Sequence, residues 1–251
     1  IFHLEGPFAS SFIKLIFQDH SFILKMSGLQ TYYDEANAIE IGMDEAGRGP
    51  LFGRLYVAAA VLPKTDDFQH DRMKDSKRFH SKKKIKEVSD YIKENAIAWS
   101  IQYIEADVID SINIRQSVFR GMHEAIREIT AKVGTQNTFL LVDGNDFRPY
   151  SYFDERTETL HTLPHETIEG GDNKYTAIAA GSILAKVARD EYITELCAKY
   201  PELNDKYGLE KNQGYGTKKH LEGILEHGVT QWHRKTYGRC KEARLHPVEE
   251  G

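Results

Sequence analysis

The sequence contains few cysteines, and this limits the classes of protein it can belong to. Cys197 and Cys240 are the only two among 251 residues. They form no CxxC pair, and no Cys/His spacing of the zinc-binding kind is present. The sequence therefore indicates neither a disulfide framework nor structural zinc. A reducing compartment, the cytoplasm, is the simplest interpretation.

Long apolar runs are also absent. The apolar stretch at residues 12–24 is interrupted by Asp19 and His20, is too short to span a bilayer, and lacks the basic region and cleavage site of a signal peptide. We therefore expect no membrane association. The chain does not begin with Met, so Met26 is interpreted as the true start. Residues 1–25 are then translated upstream sequence or a poorly packed extension.

The chain has no excess of positive charge. Lys and Arg number 33 against 38 Asp and Glu, for a formal net charge of −5. This balance argues against a protein that coats nucleic acid through bulk charge, but it permits local basic surfaces beside an acidic site. Internal repeats, low-complexity segments and Gly/Ser linkers are absent as well. We expect residues 26–251 to form a single domain.

The most informative stretch is Ile39–Pro50, where an alternating apolar strand pattern ends in Asp44 and Glu45. Paired carboxylates at a strand end suit hard cations such as Mg²⁺ or Mn²⁺. Successive strand residues point to opposite faces, so the two acids share a site only if the strand twists or ends at Glu45. A solvated acidic strand end is the alternative interpretation.

The remaining patterns predict an α/β protein with a mixed sheet. Strands are expected at 54–62, 98–104, 138–142 and near 161–168, and helices at 81–92, 106–130, 174–199 and 217–227. Asp172 or Asn173 is expected to cap the long helix. The three alanines of the strand at 54–62 predict tight packing beneath a helix. The segment at about 207–245 is basic and aromatic, with one expected helix.

Seven separate motifs occur in the order seen in ribonuclease HII, and the chain resembles that family from about Ile39 to Tyr237. They are Gly42–Leu51 (GMDEAGRGPL), Asp75–Lys77 (DSK), Val142–Gly144 (VDG), Gly171–Lys174 (GDNK), Ile178–Asp190 (IAAGSILAKVARD), Gly214–Thr217 (GYGT) and His233–Lys235 (HRK).

The resemblance implies an RNase H-like fold, with a central five-stranded mixed sheet flanked by helices and a helical, basic C-terminal extension. The family's four catalytic and metal-binding acids fall on Asp44, Glu45, Asp143 and Asp190. Two divalent cations, Mg²⁺ or Mn²⁺, would activate a water and stabilise the leaving 3′ oxygen. The implied substrates are RNA/DNA hybrids and duplex DNA that contains ribonucleotides. Cleavage on the 5′ side of the ribonucleotide would leave 3′-hydroxyl and 5′-phosphate ends, for ribonucleotide excision and primer removal.

Substrate-binding roles are implied for a second group of residues. The backbone of Gly47-Arg48-Gly49 would reach the ribose 2′-hydroxyl, and Tyr215 would pack on the sugar of the following deoxynucleotide. Lys77, Arg78, Lys174 and Lys186 are candidate phosphate contacts, and solvated surface charge is the alternative for them. For Tyr215 the alternative is a loop aromatic that covers the edge of the core.

Some features depart from the family pattern. Arg54 and Gly216 stand where the family often has proline, and no peptide that would bind a sliding clamp is evident after Arg244. We expect a monomer. Two alternatives stay open: a non-catalytic nucleic-acid-binding module of the same fold, and an enzyme like ribonuclease HIII. The Gly-Arg-Gly motif argues against the second, and the four acids argue against the first.

Overall fold

The computed structural model describes residues 28–249, so the interpretation of residues 1–25 lies outside the part described. The strands are β1 (Ile39–Ala46), β2 (Leu55–Val61), β3 (Ala98–Ile104), β4 (Thr138–Asp143), β5 (Ser151–Asp154), β6 (Thr159–Thr162) and β7 (His165–Ile168). The helices are α1 (Lys82–Asn95), α2 (Ala106–Ile112), α3 (Ile114–Val133), α4 (Thr176–Lys199), α5 (Pro201–Tyr207), α6 (Leu209–Asn212) and α7 (Lys218–His227). None of the helices in this part of the chain is long and apolar enough to cross a membrane.

Five strands form the central sheet, in the order β3-β2-β1-β4-β7. Strand β1 pairs antiparallel with β2 and parallel with β4, while β4 pairs parallel with β7. The predicted mixed sheet of five strands flanked by helices is therefore confirmed. Because β1 and β4 are parallel neighbours, their carboxyl ends meet at the same edge, where Asp44 and Glu45 lie near the end of β1 and Asp143 is the last residue of β4.

The two faces of the sheet are covered by the two longest helices. Val57 and Met43 pack in the cluster beneath α3, and Ala58 and Ala60 pack beneath α4. Helix α4 approaches β2 closely, because a β-carbon built on Gly181 would lie 3.0 Å from the Ala58 carbonyl oxygen. The tight packing predicted from the alanines of β2 is confirmed.

Helix α4 starts two residues later than predicted, and the predicted cap is wrong. Residues 171–173 form a 3₁₀ turn, and Tyr175 is the N-cap residue without a side-chain hydrogen bond. Asp172 instead accepts from the side-chain amide of Asn173 at 3.1 Å. The chain segment near Gln30 takes the capping role, since the amide of Thr176 donates to the Gln30 carbonyl at 2.9 Å.

The single helix predicted at 106–130 is two helices. Asn113 adopts a φ of 66°, which ends α2, and its Oδ1 accepts from the amide of Gln116 at 3.1 Å, which caps α3. Asparagine tolerates this left-handed conformation better than most residues and is a preferred N-cap. The apolar stripe continues across the break, so periodicity alone did not reveal it.

The single strand predicted near 161–168 is also wrong. Pro164 separates β6, which pairs with β5 in a two-stranded hairpin, from β7, which joins the main sheet. Proline cannot donate to a strand ladder, but its carbonyl accepts from the amide of Leu140 at 3.0 Å. The chain therefore changes sheets at this residue.

The C-terminal segment contains more helix than predicted. Besides α7, which matches the expected helix, α6 spans only four residues and is too short to produce a periodic pattern. This segment packs on α4 through a separate apolar cluster that includes Phe52, Ile193 and Tyr207. It also bonds directly to the chain after β1: Leu51 donates to the Gly214 carbonyl, and Gly53 to the Trp232 carbonyl, each at 2.8 Å.

Candidate active site

Two of the predicted acids meet where β1 and β4 end. Met43 is opposite Val142 in the parallel ladder, so Asp44 and Asp143 follow one another at the same edge of the sheet. Asp44 is 6% exposed, accepts from the amide of Glu45 at 2.7 Å and is hydrogen-bonded to Ser182 of α4. Asp143 accepts from the amide of Gly171 at 2.7 Å. The main chain thus holds both carboxyls in place.

Glu45 joins this pair even though β1 continues one residue beyond it. Its carboxylate lies close enough to Asp44 and Asp143 for repulsion to reach both. Burial, and then the charges of Glu45 and Asp143, raise the pKa of Asp44 well above its usual value. Burial also raises the pKa of Glu45, against the lowering influence of Arg48. Strand β1 therefore does not end at Glu45, one of the two conditions under which the acids were expected to share a site, because the strand pairs with β2 through Ala46.

Asp190 lies on α4 and is bound by a neighbour on the same helix. Lys186 donates to its Oδ1 at 2.6 Å, one helical turn away. The carboxyl also lines a cavity of about 250 Å³ between α1 and α4, together with Lys82 and Lys86. Asp190 is therefore paired with a lysine, whereas Asp44 lies near two other carboxylates.

The donor chemistry of these four acids fits a hard divalent cation, because all their ligand atoms are carboxylate oxygens. The repulsion that raises the pKa of Asp44 would be relieved by such a cation. Within residues 28–249, however, no three Asp, Glu, His or Cys side chains converge closely enough to hold a metal ion in the present arrangement. Two of the acids face basic partners instead, since Arg48 binds Glu45 at 3.1 Å and Lys186 binds Asp190.

Asp75 and Ser76 hold other residues of this site in place, a role that sequence reasoning missed. Ser76 is buried, and its Oγ lies 3.0 Å from that of Ser182, the residue bonded to Asp44. Asp75 accepts from the amide of Lys77 at 2.8 Å and from the side chain of Asn173 at 3.2 Å. Lys77 is thereby held near Glu45, whose pKa it lowers. Both serines lie inside the family motifs, which is the signal that could have identified them.

A fifth acid, Asp172, also lies beside this group. It is buried, and desolvation together with the charges of Asp75 and Asp143 raises its pKa, while Lys77 lowers it. Sequence reasoning interpreted Asp172 only as a helix cap, because a single Asp before a helix is typical of a cap.

The loop of Gly47, Arg48 and Gly49 lies beside Tyr215. Gly47 has a φ of +100°, a conformation that favours glycine. A β-carbon built on Gly49 would lie 3.6 Å from Cε1 of Tyr215, whose side chain is 50% exposed. The Arg48 carbonyl accepts from Nη1 of Arg234 at 3.0 Å. The loop and the tyrosine therefore form one continuous exposed surface.

Two buried arginines that sequence reasoning did not assign to the site support this surface. Arg189 packs under Gly47, where a β-carbon would lie 2.5 Å from its Nε, and donates to the Gln213 carbonyl at 2.7 Å. Arg234 is fully buried and also donates to the Gly53 carbonyl at 3.0 Å. Both guanidiniums bond to main-chain carbonyls that shape the loop and its neighbours. Arginine is rarely fully buried, so the burial of these two could be found only in the folded structure.

The predicted phosphate contacts fall into two groups. Lys77, Arg78 and Lys174 have exposed side chains, and Lys77 is close to the acids. Lys186 is half-buried and bound to Asp190, so its amino group faces an acid.

The family model for ribonuclease HII matches residues 41–240. A ribonuclease HII from Parabacteroides distasonis is 43% identical over 205 residues, which cover 82% of this chain and 92% of that protein. This chain belongs to the ribonuclease HII family. It is therefore a ribonuclease H, an endonuclease that hydrolyses phosphodiester bonds, and its family acts on RNA/DNA hybrids and depends on divalent metal ions.

Solved structures share the fold of this ribonuclease HII chain. One is the Archaeoglobus fulgidus ribonuclease HII in its complex with PCNA, which is 23% identical with a TM-score of 0.59 and covers 80% of this chain and 95% of that one. Another is a Bst ribonuclease HIII in complex with Mn²⁺, 13% identical with a TM-score of 0.52, covering 82% of this chain and 80% of that one. At these identities the likeness shows the RNase H-like fold alone.

Proposed function

We propose that this ribonuclease H cuts on the 5′ side of ribonucleotides embedded in duplex DNA, in addition to RNA/DNA hybrids, and leaves 3′-hydroxyl and 5′-phosphate ends. Its cellular work would be ribonucleotide excision and primer removal. The observation that carries the proposal is that Gly49 lies beside Tyr215, since a β-carbon built on Gly49 would lie 3.6 Å from Cε1 of the ring. The loop that we propose reads the ribose therefore adjoins the ring that we propose reads the deoxyribose. Recognition of a junction needs both elements at adjacent nucleotides.

The Gly47-Arg48-Gly49 loop supports the reading of RNA. Arg48 and Gly49 are exposed, and the Arg48 carbonyl is held by Arg234 at 3.0 Å and by the hydroxyl of Tyr237 at 3.2 Å. A peptide held in this way can present a fixed hydrogen-bonding pattern to the 2′-hydroxyl, the group that distinguishes RNA from DNA. The absence of side chains at the two glycines lets a sugar approach the main chain.

The C-terminal segment at about 207–245 supports the reading of DNA. We infer that it belongs to the single catalytic domain, because it bonds to the chain just after the loop at Leu51 and Gly53. Tyr215 offers an exposed ring at the boundary between the two parts. Lys77, Arg78 and Lys174 are exposed and would contact phosphates, with Lys77 nearest the acids.

We propose that Asp44, Glu45, Asp143 and Asp190 hold two divalent cations, Mg²⁺ or Mn²⁺. When bound, the cations supply an activated water and stabilise the charge on the leaving 3′ oxygen. Asp44 and Asp143 already stand together, because the ends of β1 and β4 and the amides of Glu45 and Gly171 position them. To bind the cations, the carboxylate of Glu45 would leave its ion pair with Arg48. The carboxylate of Asp190 would likewise leave its ion pair with Lys186.

The test is cleavage of a labelled DNA duplex with one ribonucleotide, in Mg²⁺ and in Mn²⁺. We expect a single metal-dependent cut 5′ of the ribonucleotide, with 3′-hydroxyl and 5′-phosphate ends. An all-DNA duplex and the Asp143→Asn variant are the controls, and neither should give product. Asp146→Asn is a matched control, because Asp146 is exposed and paired with Arg115 in the loop after Asp143, and it should cleave normally.

Each alternative predicts a different result. Cleavage of long RNA/DNA hybrids without cleavage at a single ribonucleotide would leave the role of the acids intact and remove the roles of Arg48 and Tyr215. Binding of both substrates without cleavage in either metal would favour the non-catalytic module.

A further inference from the structure

Two histidines in the C-terminal segment are fully buried and face one another. His220 lies in the first turn of α7, and His233 lies in the HRK motif; their Nε2 atoms are 3.1 Å apart. Both have an exposed fraction of zero. The sequence showed no metal-ligand spacing for His220, and the fold instead joins it to a second histidine 13 residues away.

The hydrogen-bond partners determine which nitrogen of each ring carries the proton. Nδ1 of His220 lies 2.9 Å from the carbonyl oxygen of Tyr215, which only accepts, so His220 carries its proton on Nδ1. The amide of Thr230 donates to Nδ1 of His233 at 2.9 Å, so that nitrogen has no proton and Nε2 carries it. His233 therefore donates through Nε2 to His220. All three hydrogen bonds then have one donor and one acceptor.

This chain of hydrogen bonds requires both rings to be neutral. A second proton on His220 would set two N–H groups against each other across 3.1 Å. The surroundings also disfavour a charge, since the ring of Tyr207 packs on both histidines and Phe52 packs edge-on against His233. Burial lowers the pKa of both histidines, with that of His233 well below its usual value.

The chain ends at the residue that we propose reads the deoxynucleotide. The Tyr215 carbonyl accepts from His220 and from the amide of Thr217 at 2.8 Å, while the Tyr215 amide donates to Asn212 at 2.9 Å. The ring itself is half exposed, with Gly49 and the guanidinium of Arg189 as its neighbours. The position of the ring therefore depends on how firmly the main chain of Tyr215 is held.

We propose that His220 and His233 are positioning residues that set the preference for RNA–DNA junctions by fixing the main chain of Tyr215. This inference rests on the proposed junction reading. Neither histidine touches substrate. His233 donates to Nε2 of His220 and so keeps the proton of His220 on Nδ1. That Nδ1 proton is donated to the main-chain carbonyl of Tyr215. The pair affects cleavage where Tyr215 matters, at a ribonucleotide followed by DNA, and has little effect within a continuous hybrid.

The test compares kcat/KM on a duplex with one ribonucleotide with kcat/KM on a continuous RNA/DNA hybrid. His220→Phe keeps a ring but removes the donor to Tyr215, and we expect the junction-to-hybrid ratio to fall about tenfold, the effect of one lost hydrogen bond. His220→Asn can donate from its side-chain amide at the same place, so the ratio should recover to within about threefold of the wild type.

The matched control is Tyr207→Phe. It removes one buried hydrogen bond from the same cluster, the 3.1 Å bond to the Gly228 carbonyl, and keeps the ring that packs on both histidines. We expect a lower Tm with an unchanged junction-to-hybrid ratio. If His220→Phe behaved in the same way, the histidines would have only a structural role and the inference would be wrong.

Two further measurements separate this inference from the proposed function. Tyr215→Ala should lower the ratio by itself, and adding His220→Phe should lower it no further, because both changes act through one contact. A normal ratio in Tyr215→Ala would overturn the junction reading. A reduced ratio in Tyr215→Ala with a normal ratio in His220→Phe would overturn the histidine inference alone.

The wild-type protein offers a test that does not depend on any variant. We expect ¹⁵N NMR at pH 7 to show His220 with its proton on Nδ1 and His233 with its proton on Nε2. The opposite tautomer of either ring, or a doubly protonated ring, would contradict the chain of hydrogen bonds.

Discussion

Arg234 donates through Nη1 to the main-chain carbonyl of Arg48 at 3.0 Å, across 186 residues of sequence. The same guanidinium donates through Nε to the Gly53 carbonyl at 3.0 Å. One buried side chain from the C-terminal segment therefore connects the start and the end of the loop that follows β1. Together with the main-chain bonds of Leu51 and Gly53, it joins the loop to the C-terminal segment.

Arg234→Lys should impair cleavage at a single ribonucleotide. Lysine keeps the charge but lacks the planar fork that reaches two carbonyls. We expect kcat/KM to fall about 10- to 100-fold, because a small displacement of a positioning loop has effects of that size. Steady-state kinetics with a labelled duplex would measure it. Arg127→Lys, at an exposed position of α3, is the matched control and should cleave like the wild type; equal rates for the two variants would contradict the role of Arg234.

Gly47→Ala should reduce both stability and cleavage. Its φ of +100° is unfavourable for alanine, and the new β-carbon would lie 2.5 Å from Nε of Arg189. We expect a loss of about 1–3 kcal/mol in the free energy of unfolding, measured by urea denaturation. Gly134→Ala separates the two causes, since Gly134 has a φ of +83° with open space around it and lies at the end of α3. That control should lose stability and keep cleavage; a matching loss of cleavage would show that strain alone explains Gly47.

Asp44→Asn should abolish cleavage and stabilise the metal-free protein. Burial and the charges of Glu45 and Asp143 raise the pKa of Asp44, so its ionised form destabilises the fold at neutral pH. We expect the Tm without metal to rise by about 2–4 °C, the shift that 1 kcal/mol produces in a chain of this size. Added Mg²⁺ or Mn²⁺ should raise the Tm of the wild type more than that of the variant. If neither metal raised the Tm of the wild type, the result would argue against the proposed ligands. The Tm of the control variant Asp146→Asn should rise with metal as that of the wild type does.

Stability should fall as the pH drops below about 6.5, the ordinary pKa of histidine. Burial lowers the pKa of His220 and His233, so the unfolded chain binds protons that the folded chain does not, and folding loses free energy at acid pH. Urea denaturation at pH 7.5 and 5.5 would measure the loss. His220→Asn removes one of these groups, and we expect its free energy of unfolding to fall less than that of the wild type between these two pH values. The exposed His80 gives the control His80→Gln, and an identical loss in all three proteins would contradict this account.

Much of the fold could be predicted from local pattern. The alternation of β1 and the apolar run of β4 identified two strands that end in acids, and both strands lie where expected. The errors fall where one residue decides the backbone: Asn113 divides a helix whose stripe continues, and Pro164 moves the chain from one sheet to another. Apolar periodicity is insensitive to a single left-handed residue or to the choice of strand partner.

The residues of the candidate site were predicted, but the hydrogen bonds that hold them in place were not. Asp44, Asp143, Arg48 and Tyr215 could be named because each lies in a motif of the family. The bonds that hold them join residues far apart in the chain, such as Ser76 with Ser182, across 106 residues. No spacing rule predicts such pairs.

Motifs and local pattern identified the family, most of the strands and helices, and the residue types that reach the edge of the sheet. Tertiary packing alone brings Ser76 to Ser182 and His220 to His233, behind Tyr215. The pairs of Arg48 with Glu45 and of Lys186 with Asp190 are local, since their members lie three and four residues apart. Local pattern depends on the preferences of neighbouring residues along the chain. Burial and charge depend on which distant residues pack together, and here these determine the protonation of the acids and of the histidines.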